Sequence, residues 1–217
     1  MLAQPDAVPL AKADLVSRLG RRFFRRDPVT LAKALLGQSL VRIVDGHRLV
    51  GRIVEVEAYL GIEDRAAHTF GGRRTARNET MWGDGGHLYV YFTYGMHHCA
   101  NVVAEREGQP TAVLLRALEP IEGQPIMRQN RATRMAADRL RDTDLCSGPA
   151  KLCQALAIDR QLDGTDLVTS EALFIERGRA VRPADIVESP RIGIGYAGEW
   201  VDRPLRFHIR GHSHVSR

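Results

Sequence analysis

The chain has 217 residues and a mass of 24.2 kDa, which suits one domain with a sizeable core. Its 44% hydrophobic and 26% charged residues are ordinary for a soluble globular protein, and no apolar run approaches the roughly 18 residues of a membrane span. The net charge is +5, and only three of the 31 basic residues are lysines: Lys12, Lys33 and Lys151. Because arginine favours phosphate contacts and stacking on bases, the composition points modestly to nucleic acid.

The cysteines and the first residues indicate the cellular compartment. Cys99, Cys146 and Cys153 form no CxxC pair, so the sequence predicts neither a disulfide framework nor a zinc site. His97 and His98 precede Cys99, but neighbouring strand residues point to opposite faces, so we do not interpret this trio as a metal site. The first residues lack the apolar core of a signal peptide. We therefore expect a cytoplasmic protein that is neither exported nor inserted in a membrane.

The first part of the chain predicts a tail and a basic helix. Residues 1–13 are weakly patterned and are interpreted as a flexible tail, which leaves residues 14–217 as a single domain. Residues 14–26, DLVSRLGRRFFRR, predict a helix with a strongly basic face. A solvated surface helix with Phe23 and Phe24 packed inward is the favoured interpretation, and contact with DNA is the alternative.

A second helix and a hairpin follow. Asp27 and Pro28 suit an N-cap and a first helical position, TLAKALL continues the helix, and Gly37 ends it. SLVRIV and HRLVGRIVEVEAYL flank Asp45 and Gly46, a dipeptide typical of tight two-residue turns. The sequence therefore predicts one helix followed directly by a β-hairpin.

Polar side chains alternate along the second strand of this hairpin. Glu55, Glu57 and Tyr59 are separated by apolar residues, so the three share one face. If the apolar face packs on the core, the two carboxylates face whatever covers the sheet. The next segments, EDRAAH and GGRRTARN, predict one helical turn and a basic loop.

The second half of the chain predicts the rest of a mixed domain. HLYVYFTY and HHCANVVAE predict two strands around Gly95, and LLRAL predicts a further strand that ends at Glu119 and Pro120. EGQPIMRQNRATRMAADRLR is helical in composition, and CSGPAKLCQALAI predicts a helix capped by Ser147. LFIER, RIGIG and LRFHIRG predict closing strands. The fold class is therefore one α/β domain.

Large polar rings gather between residues 51 and 116. This segment holds four of the five tyrosines, two carboxylates two residues apart and an arginine that ends an apolar run: Tyr59, Tyr89, Tyr91, Tyr94, Glu55, Glu57 and Arg116. Together they predict a pocket that stacks a flat ring and activates a water beside it. Taken singly, the same residues favour a plainer interpretation, which is a solvated strand edge and a β-core rimmed by tyrosine hydroxyls.

Six motifs occur in order along the chain: EAYLGxEDxAAH, GGRxTxRN, LYVYxxYGM, LLRALEP, CSGPxKLCQAL and AGEWxxxPLRF. Over residues 28–211 they resemble the alkyladenine DNA glycosylase family, also called 3-methyladenine or methylpurine DNA glycosylases. The resemblance implies one compact α+β domain with a curved, mainly antiparallel sheet flanked by helices. It also implies a base excision repair enzyme that flips alkylated or deaminated purines out of double-stranded DNA. Such an enzyme hydrolyses the N-glycosidic bond, leaves an abasic site and uses no metal or other cofactor.

The resemblance assigns chemical roles to the pocket segment. Glu57 would take a proton from the attacking water, and Arg116 would hold that water and a nearby phosphate oxygen. Tyr59, His68 and Tyr91 would sandwich the flipped base. The lesions would include 3-methyladenine, 7-methylguanine, hypoxanthine and ethenoadenine, in an order that the sequence does not rank.

Further residues would select the base and hold the DNA. The main-chain N–H of His68 would read the edge of the base, Asn101 would obstruct the 2-amino group of guanine, and Leu114 would line the pocket floor. Tyr94 would be a wedge in the minor groove, with Met96 packed beside it. The predicted contacts to the DNA backbone are Arg73, Arg77 and Lys151. For the lysine, a plain surface position is nearly as good an interpretation.

The absence of an amine refines the predicted reaction. No lysine lies between Lys33 and Lys151, so the pocket segment holds no amine for a Schiff base, and we expect a monofunctional, water-using enzyme. A DNA enzyme of this size is most simply a monomer. No general acid for neutral bases is assigned, since Glu55 lies one pleat away. A nucleic-acid-binding module without catalysis is the alternative, and a hydrolase of small nucleosides is disfavoured by the basic charge and by Tyr94. His212 and His214 are expected to be exposed and inert.

Overall fold

A computed structural model gives the fold and describes residues 18–93, 95–132 and 139–216. The predicted tail, residues 1–13, lies outside these ranges. Eight antiparallel strands form the sheet: β1 Ser39–Val44, β2 His47–Tyr59, β3 Leu88–Thr93, β4 His97–Val103, β5 Ala112–Glu122, β6 Leu173–Glu176, β7 Ile186–Ser189 and β8 Arg206–Ile209. The described helices are α1 Arg21–Phe24, α2 Pro28–Leu35, α3 Gln124–Arg131, α4 Asp142–Leu145 and α5 Pro149–Ala155. Within the described ranges, no helix is long and apolar enough to cross a membrane.

Within the described residues, six short 3₁₀ turns connect these elements: Gly61–Glu63, Phe70–Gly72, Glu79–Trp82, Arg160–Leu162, Pro183–Asp185 and Gly198–Trp200. The sheet itself is organised by β2, the longest strand. The order of the strands is β3-β4-β5-β2-β1-β6, and β8 pairs with both β2 and β7. One edge of β2 pairs with β5. The other edge pairs first with β1 and then, at Glu55 to Glu57, with β8, so β8 brings the last part of the chain to the two carboxylates.

The local signals of the second predicted helix and of the hairpin turn are confirmed. The Asp27 side chain accepts a hydrogen bond from the Thr30 N–H at 2.9 Å, Pro28 is the first residue of α2, and Gly37 follows the helix with a φ of +84°. At the hairpin, Asp45 and Gly46 both have positive φ, 49° and 75°, as a tight two-residue turn of this kind requires. The predicted fold class, a mainly antiparallel curled sheet with a few helices, is also confirmed.

The core lies between the sheet and the helices. Val54 and Val56 of β2 belong to the same buried cluster as Leu31 of α2 and Leu152 of α5. Glu55, between the two valines, alternates to the opposite face, yet it and Glu57 are 0% exposed. The plainer interpretation of the two glutamates as a solvated strand edge is therefore wrong, because other parts of the chain cover that face as well.

The helix predicted over residues 14–26 is much shorter in the structure. Within the described part of it, only α1 is helical. Just before α1, the Leu19 N–H donates to the Ile175 carbonyl of β6 at 2.9 Å, so the chain extends the edge of the sheet there instead of continuing a helix. The inward packing of Phe24 and, in part, of Phe23 agrees with the expectation.

Three predicted boundaries differ from the structure. β5 does not stop at Pro120, because the register shifts opposite Gly51 and this bulge accommodates a residue without an N–H. Gly148, not Ser147, is the N-cap of α5, since Ser147 is engaged in a bridge to Ala117 of β5. The RIGIG segment, residues 191–195, is a loop, and its neighbour β7 supplies the strand.

Candidate active site

The carboxylate of Glu57 is fully buried and held on both oxygens. Oε1 accepts a hydrogen bond from the Ile192 backbone N–H at 2.8 Å and lies 3.2 Å from Nη1 of Arg116. Oε2 accepts a hydrogen bond from the Tyr59 hydroxyl at 3.0 Å. Three separate elements therefore orient this one group: its own strand β2, strand β5 and the loop after β7.

Arg116 joins the two carboxylates of β2. Its Nε donates to Oε1 of Glu55 at 3.0 Å while Nη1 contacts Glu57. Glu55 has three further donors: Arg206 Nη1 at 3.0 Å, the Ser216 backbone N–H at 2.6 Å and the Ser216 hydroxyl at 2.9 Å. A planar guanidinium suits this arrangement because its donors diverge in one plane. The result is a buried network in which Glu55 neutralises the charges of Arg116 and Arg206. Glu57 lies at one end of this network and pairs with Arg116 only.

The two carboxylates differ in pKa. Burial is the largest influence on Glu57 and raises its pKa above the ordinary 4.5, while the charge of Arg116 acts in the opposite direction. Burial also opposes ionisation of Glu55, but hydrogen bonds from Ser216 and the charge of Arg116 outweigh it, so the pKa of Glu55 is lowered. Neighbouring carboxyls with pKa values pushed apart are suited to separate roles. Here Glu57 is the better proton acceptor, and Glu55 is the lasting anion.

A cavity of about 210 Å³ opens in front of this network. That volume lies below the roughly 300–1,000 Å³ of pockets for drug-sized ligands and suits a single small ring system. The structure brings together six of the residues predicted for the site: Tyr59, His68, Tyr91, Asn101, Leu114 and Arg116. Glu57 lies behind the cavity wall, where Tyr59 and Arg116 separate it from the space in front. A water that reaches Oε2 must therefore displace the Tyr59 hydroxyl or share that oxygen with it.

The aromatic wall of the cavity is neutral. The rings of His68 and Tyr91 meet edge to face with their centroids 4.6 Å apart, and Nδ1 of His68 lies 2.8 Å from the Tyr89 hydroxyl. Burial, helped by the charges of Arg77 and Arg73, lowers the pKa of His68 to about 4. The imidazole is therefore uncharged near pH 7. An uncharged ring can lie against a cationic alkylated base without electrostatic repulsion.

The floor of the cavity comes from two neighbouring strands. Asn101 of β4 and Leu114 of β5 are paired in register, so their positions are fixed by the sheet. The Asn101 side-chain amide donates to the Tyr89 carbonyl at 3.1 Å, which holds its orientation. A floor with one amide and one apolar side chain can distinguish bases by the groups on their edge.

Comparison with known proteins identifies the family. Residues 22–213 match the sequence model of a family described as methylpurine-DNA glycosylase (MPG). The chain belongs to the methylpurine-DNA glycosylase family. It is 53% identical over 209 residues to a DNA-3-methyladenine glycosylase of Mus musculus, with 94% of this chain and 62% of the mouse protein covered. This chain thus spans less than two thirds of that relative's length.

Two further relatives differ in length. A DNA-3-methyladenine glycosylase of Homo sapiens is 52% identical over 207 residues, with 93% of this chain and 68% of the human protein covered. A protein of Desulfitobacterium hafniense, provisionally named as a 3-methyladenine DNA glycosylase, is 46% identical over 203 residues. This match covers 93% of this chain and 99% of the bacterial protein. The methylpurine-DNA glycosylase region thus accounts for nearly the whole of the bacterial relative.

In this member of the family, sequence reasoning missed the loop that holds Glu57. Arg191 forms a fully buried ion pair with Asp64 at 2.6 Å and donates to the Ala58 carbonyl at 3.0 Å. The pair anchors the loop so that the next residue, Ile192, places its N–H on Glu57. Two glycines within five residues, RIGIG, were the available signal that this segment is not a strand. Ser216 and Arg206 were missed too, because nothing local in their sequence points to Glu55.

The residues predicted to contact DNA surround the mouth of the cavity in part. Arg73 and Arg77 line a second cavity next to the first, and the Arg77 guanidinium donates to a backbone carbonyl of β3. Met96 is 68% exposed at the β3–β4 turn, while Tyr94, the predicted wedge, lies outside the described residues. Lys151 is half-buried in α5, two residues after a cavity-lining proline.

Proposed function

We propose that this member of the methylpurine-DNA glycosylase family is a monofunctional DNA glycosylase of base excision repair. It would act as a monomer on double-stranded DNA that contains damaged purines. The observation that carries the proposal is the pairing of Glu57 with Arg116 at 3.2 Å directly behind an aromatic cavity. A protein that only bound nucleic acid would gain no affinity from burying a carboxylate there. The names of the mouse and human relatives support the same reaction.

The proposed reaction is a hydrolysis with Glu57 as general base. The water oxygen forms a bond to C1′ of the sugar, and the C1′–N bond breaks with its electron pair leaving on the base. The proton of the water passes to Glu57, whose raised pKa favours that transfer. The sugar carries positive charge in the transition state, as in other glycoside hydrolyses, and buried anions beside it stabilise that charge. Arg116 keeps Glu57 in place, and its charge offsets part of the effect of burial on the pKa of Glu57.

The cavity accounts for the proposed lesions. Flipping a base costs a few kcal/mol, least for a damaged one, and stacking on aromatic side chains returns about 1–3 kcal/mol per base. Tyr59, His68 and Tyr91 would supply the stacking, with Tyr94 and Met96 filling the gap left in the duplex. Cationic 3-methyladenine and 7-methylguanine are good leaving groups, so a general base is sufficient to excise them and no general acid is needed. Hypoxanthine and ethenoadenine are neutral and would depend more strongly on the pocket.

A water, not an amine, is the proposed nucleophile. The residues that line the described cavity include no lysine. A lyase reaction needs an amine to form a Schiff base with the sugar. Borohydride treatment of the enzyme on lesion DNA should therefore trap no covalent complex, and efficient trapping would contradict the monofunctional assignment.

The decisive experiment is single-turnover excision from duplexes with one central hypoxanthine or one methylated purine. Alkali converts the abasic products to strand breaks that can be counted. Glu57→Gln keeps the shape and the hydrogen-bond acceptor but cannot take a proton, so excision should fall by at least ~100-fold with lesion binding retained. Glu122→Gln, at an exposed position of β5, is the matched control and should cleave at the parent rate.

Each other outcome has a definite meaning. Near-normal excision by Glu57→Gln would place the general base elsewhere. Tight lesion binding by the parent protein without cleavage of either duplex would make the chain a nucleic-acid-binding module. Cleavage of the methylated duplex alone would restrict the enzyme to bases that are already good leaving groups.

A further inference from the structure

Two histidines near the C-terminus meet a glutamate of β5. The expectation that His212 and His214 are exposed is wrong, because both are half-buried. Nε2 of His212 lies 3.4 Å from Oε2 of Glu119, and the two imidazole rings are 5.5 Å apart. Glu119 is three residues beyond Arg116, on the same strand. The last described residues therefore fold back onto the strand that carries the active-site arginine.

One ring nitrogen in this cluster lacks a partner. Nε2 of His214 is buried and has no hydrogen-bond partner among the described residues, whereas its Nδ1 lies 3.2 Å from the Ser213 hydroxyl. A buried polar atom without a partner is costly, so such atoms are normally satisfied by water, an ion or a ligand. The lone pair that Nε2 can offer suits a metal ion.

We propose that Glu119, His212 and His214 bind a divalent transition-metal ion of the zinc class. The ligand atoms that these side chains offer lie within 4.8 Å of one another. Zinc bonds to imidazole and carboxylate at roughly 2.0–2.2 Å with tetrahedral geometry, which places the ligands about 3.3 Å apart. Glu119 and His212 already have this spacing, and a small rotation of His214 completes the triangle. Two imidazoles and one carboxylate select zinc, copper, nickel or iron over magnesium or calcium.

Two features limit the affinity of this site. Nδ1 of His212 accepts a hydrogen bond from the His214 N–H at 3.3 Å, so the proton of the neutral ring is on Nε2. Metal binding at Nε2 moves this proton to Nδ1 and breaks that hydrogen bond, and the number of protons on the ring is unchanged. Arg52 also lies 3.5 Å from Glu119 and opposes a second cation there. Removing its charge should therefore tighten metal binding.

The proposed metal site would hold residues 212–216 against β5. Ser216, which hydrogen-bonds to Glu55, follows His214 by two residues. A metal that ties His212 and His214 to β5 would hold Ser216 in position without touching the substrate. The proposal therefore adds a stabilising ion outside the cavity and does not depend on the proposed glycosylase reaction.

The test uses the full chain without an affinity tag, stripped of metal and titrated with Zn²⁺ against a chromophoric chelator. We expect one equivalent to bind the parent protein and to raise its melting temperature. Co²⁺ in its place should give the visible absorption of a tetrahedral ion. His214→Asn should abolish both effects, and Arg52→Gln should lower the dissociation constant severalfold. His47→Asn, at an exposed histidine of the first hairpin, is the matched control and should bind as the parent does.

Two results would overturn the proposal. The parent protein could bind no Zn²⁺, in which case water satisfies His214. His214→Asn could bind as tightly as the parent, which would place the ion elsewhere. In that second case, loss of binding in Glu57→Gln would show that the ion lies in the active-site network. The Co²⁺ spectrum of the parent protein reports the tetrahedral geometry of the ion, and His212→Asn is a second variant that should also lose binding, so poor folding of one variant does not leave the question open.

Discussion

Ser216 donates to both oxygens of Glu55: its N–H reaches Oε2 at 2.6 Å and its hydroxyl reaches Oε1 at 2.9 Å. The same hydroxyl accepts a hydrogen bond from Nη2 of Arg116 at 3.2 Å. The C-terminal segment is thus part of the network that ends at Glu57. It keeps Glu55 ionised and fixes the plane of the guanidinium, although it lies outside the cavity.

Ser216→Ala should slow excision without weakening binding. The variant keeps the backbone hydrogen bond to Glu55 but loses the hydroxyl that links it to Arg116. A lost hydrogen bond of this kind is worth about 0.5–1.5 kcal/mol, which corresponds to a rate lower by roughly 2–10-fold. Single-turnover rates measured across pH would show whether the acid limb of the pH–rate profile also moves. We expect a shift if the orientation of Arg116 affects the pKa of Glu57. Ser216→Thr should restore most of the rate, and Ser39→Ala, in β1 and outside this network, is the control.

Tyr59→Phe should move the acid limb of the pH–rate profile to higher pH. The Tyr59 hydroxyl donates to Glu57 and lowers its pKa, so its removal raises a pKa that burial has already raised. Below that pKa, Glu57 is protonated and cannot accept a proton from water. A methylated purine is the right substrate, because it needs no general acid and the acid limb then reports Glu57. Tyr89→Phe, whose hydroxyl contacts His68 instead, should leave the limb in place. An unshifted limb in Tyr59→Phe would mean that another group controls it.

Glu55→Gln should destabilise the fold in a pH-dependent way. The pKa of Glu55 is lowered in the folded protein, so the charged carboxylate contributes stability above its unfolded value near 4.5 and loses it as pH falls through the folded pKa. At pH 7 the variant leaves Arg206 without its anion and Arg116 with Glu57 alone, a loss of roughly 3–5 kcal/mol for a broken buried pair. Urea unfolding should show the gap between parent and variant shrinking below pH 4.5. A gap independent of pH would indicate lost packing instead.

Asp64→Asn should loosen the loop that holds Glu57. The variant leaves Arg191 fully buried without its anion, and we expect a loss of roughly 3–5 kcal/mol in the free energy of unfolding. Excision should fall as well, because Ile192 is next to Arg191 and its N–H fixes Glu57. Asp185→Asn breaks the exposed pair with Arg182 and is the matched control, which should change stability by no more than about 0.5 kcal/mol. Equal effects of the two substitutions would mean that the Arg191–Asp64 pair does not hold this loop in place.

The fold was predictable where neighbours along the chain decide the structure. The capped start of α2, the Asp45–Gly46 turn and the shared face of Glu55 and Glu57 depend on residues a few positions apart. The predictions failed where a distant partner competes. Leu19 pairs with β6 instead of continuing a helix, and Pro120 stays within β5 because the sheet forms a bulge around it.

In the candidate site, too, some properties follow from the sequence and others depend on contacts between distant residues. The sequence by itself determined which residue types are available: a strand with two carboxylates, an arginine, a set of aromatic rings and no lysine among them. Only the tertiary structure decided their chemistry. Glu55 and Ser216 are 161 positions apart, and Glu57 and Ile192 are 135 apart. Because burial and hydrogen bonds from such distant residues push the two pKa values in opposite directions, two glutamates that look alike in sequence become an anion and a base.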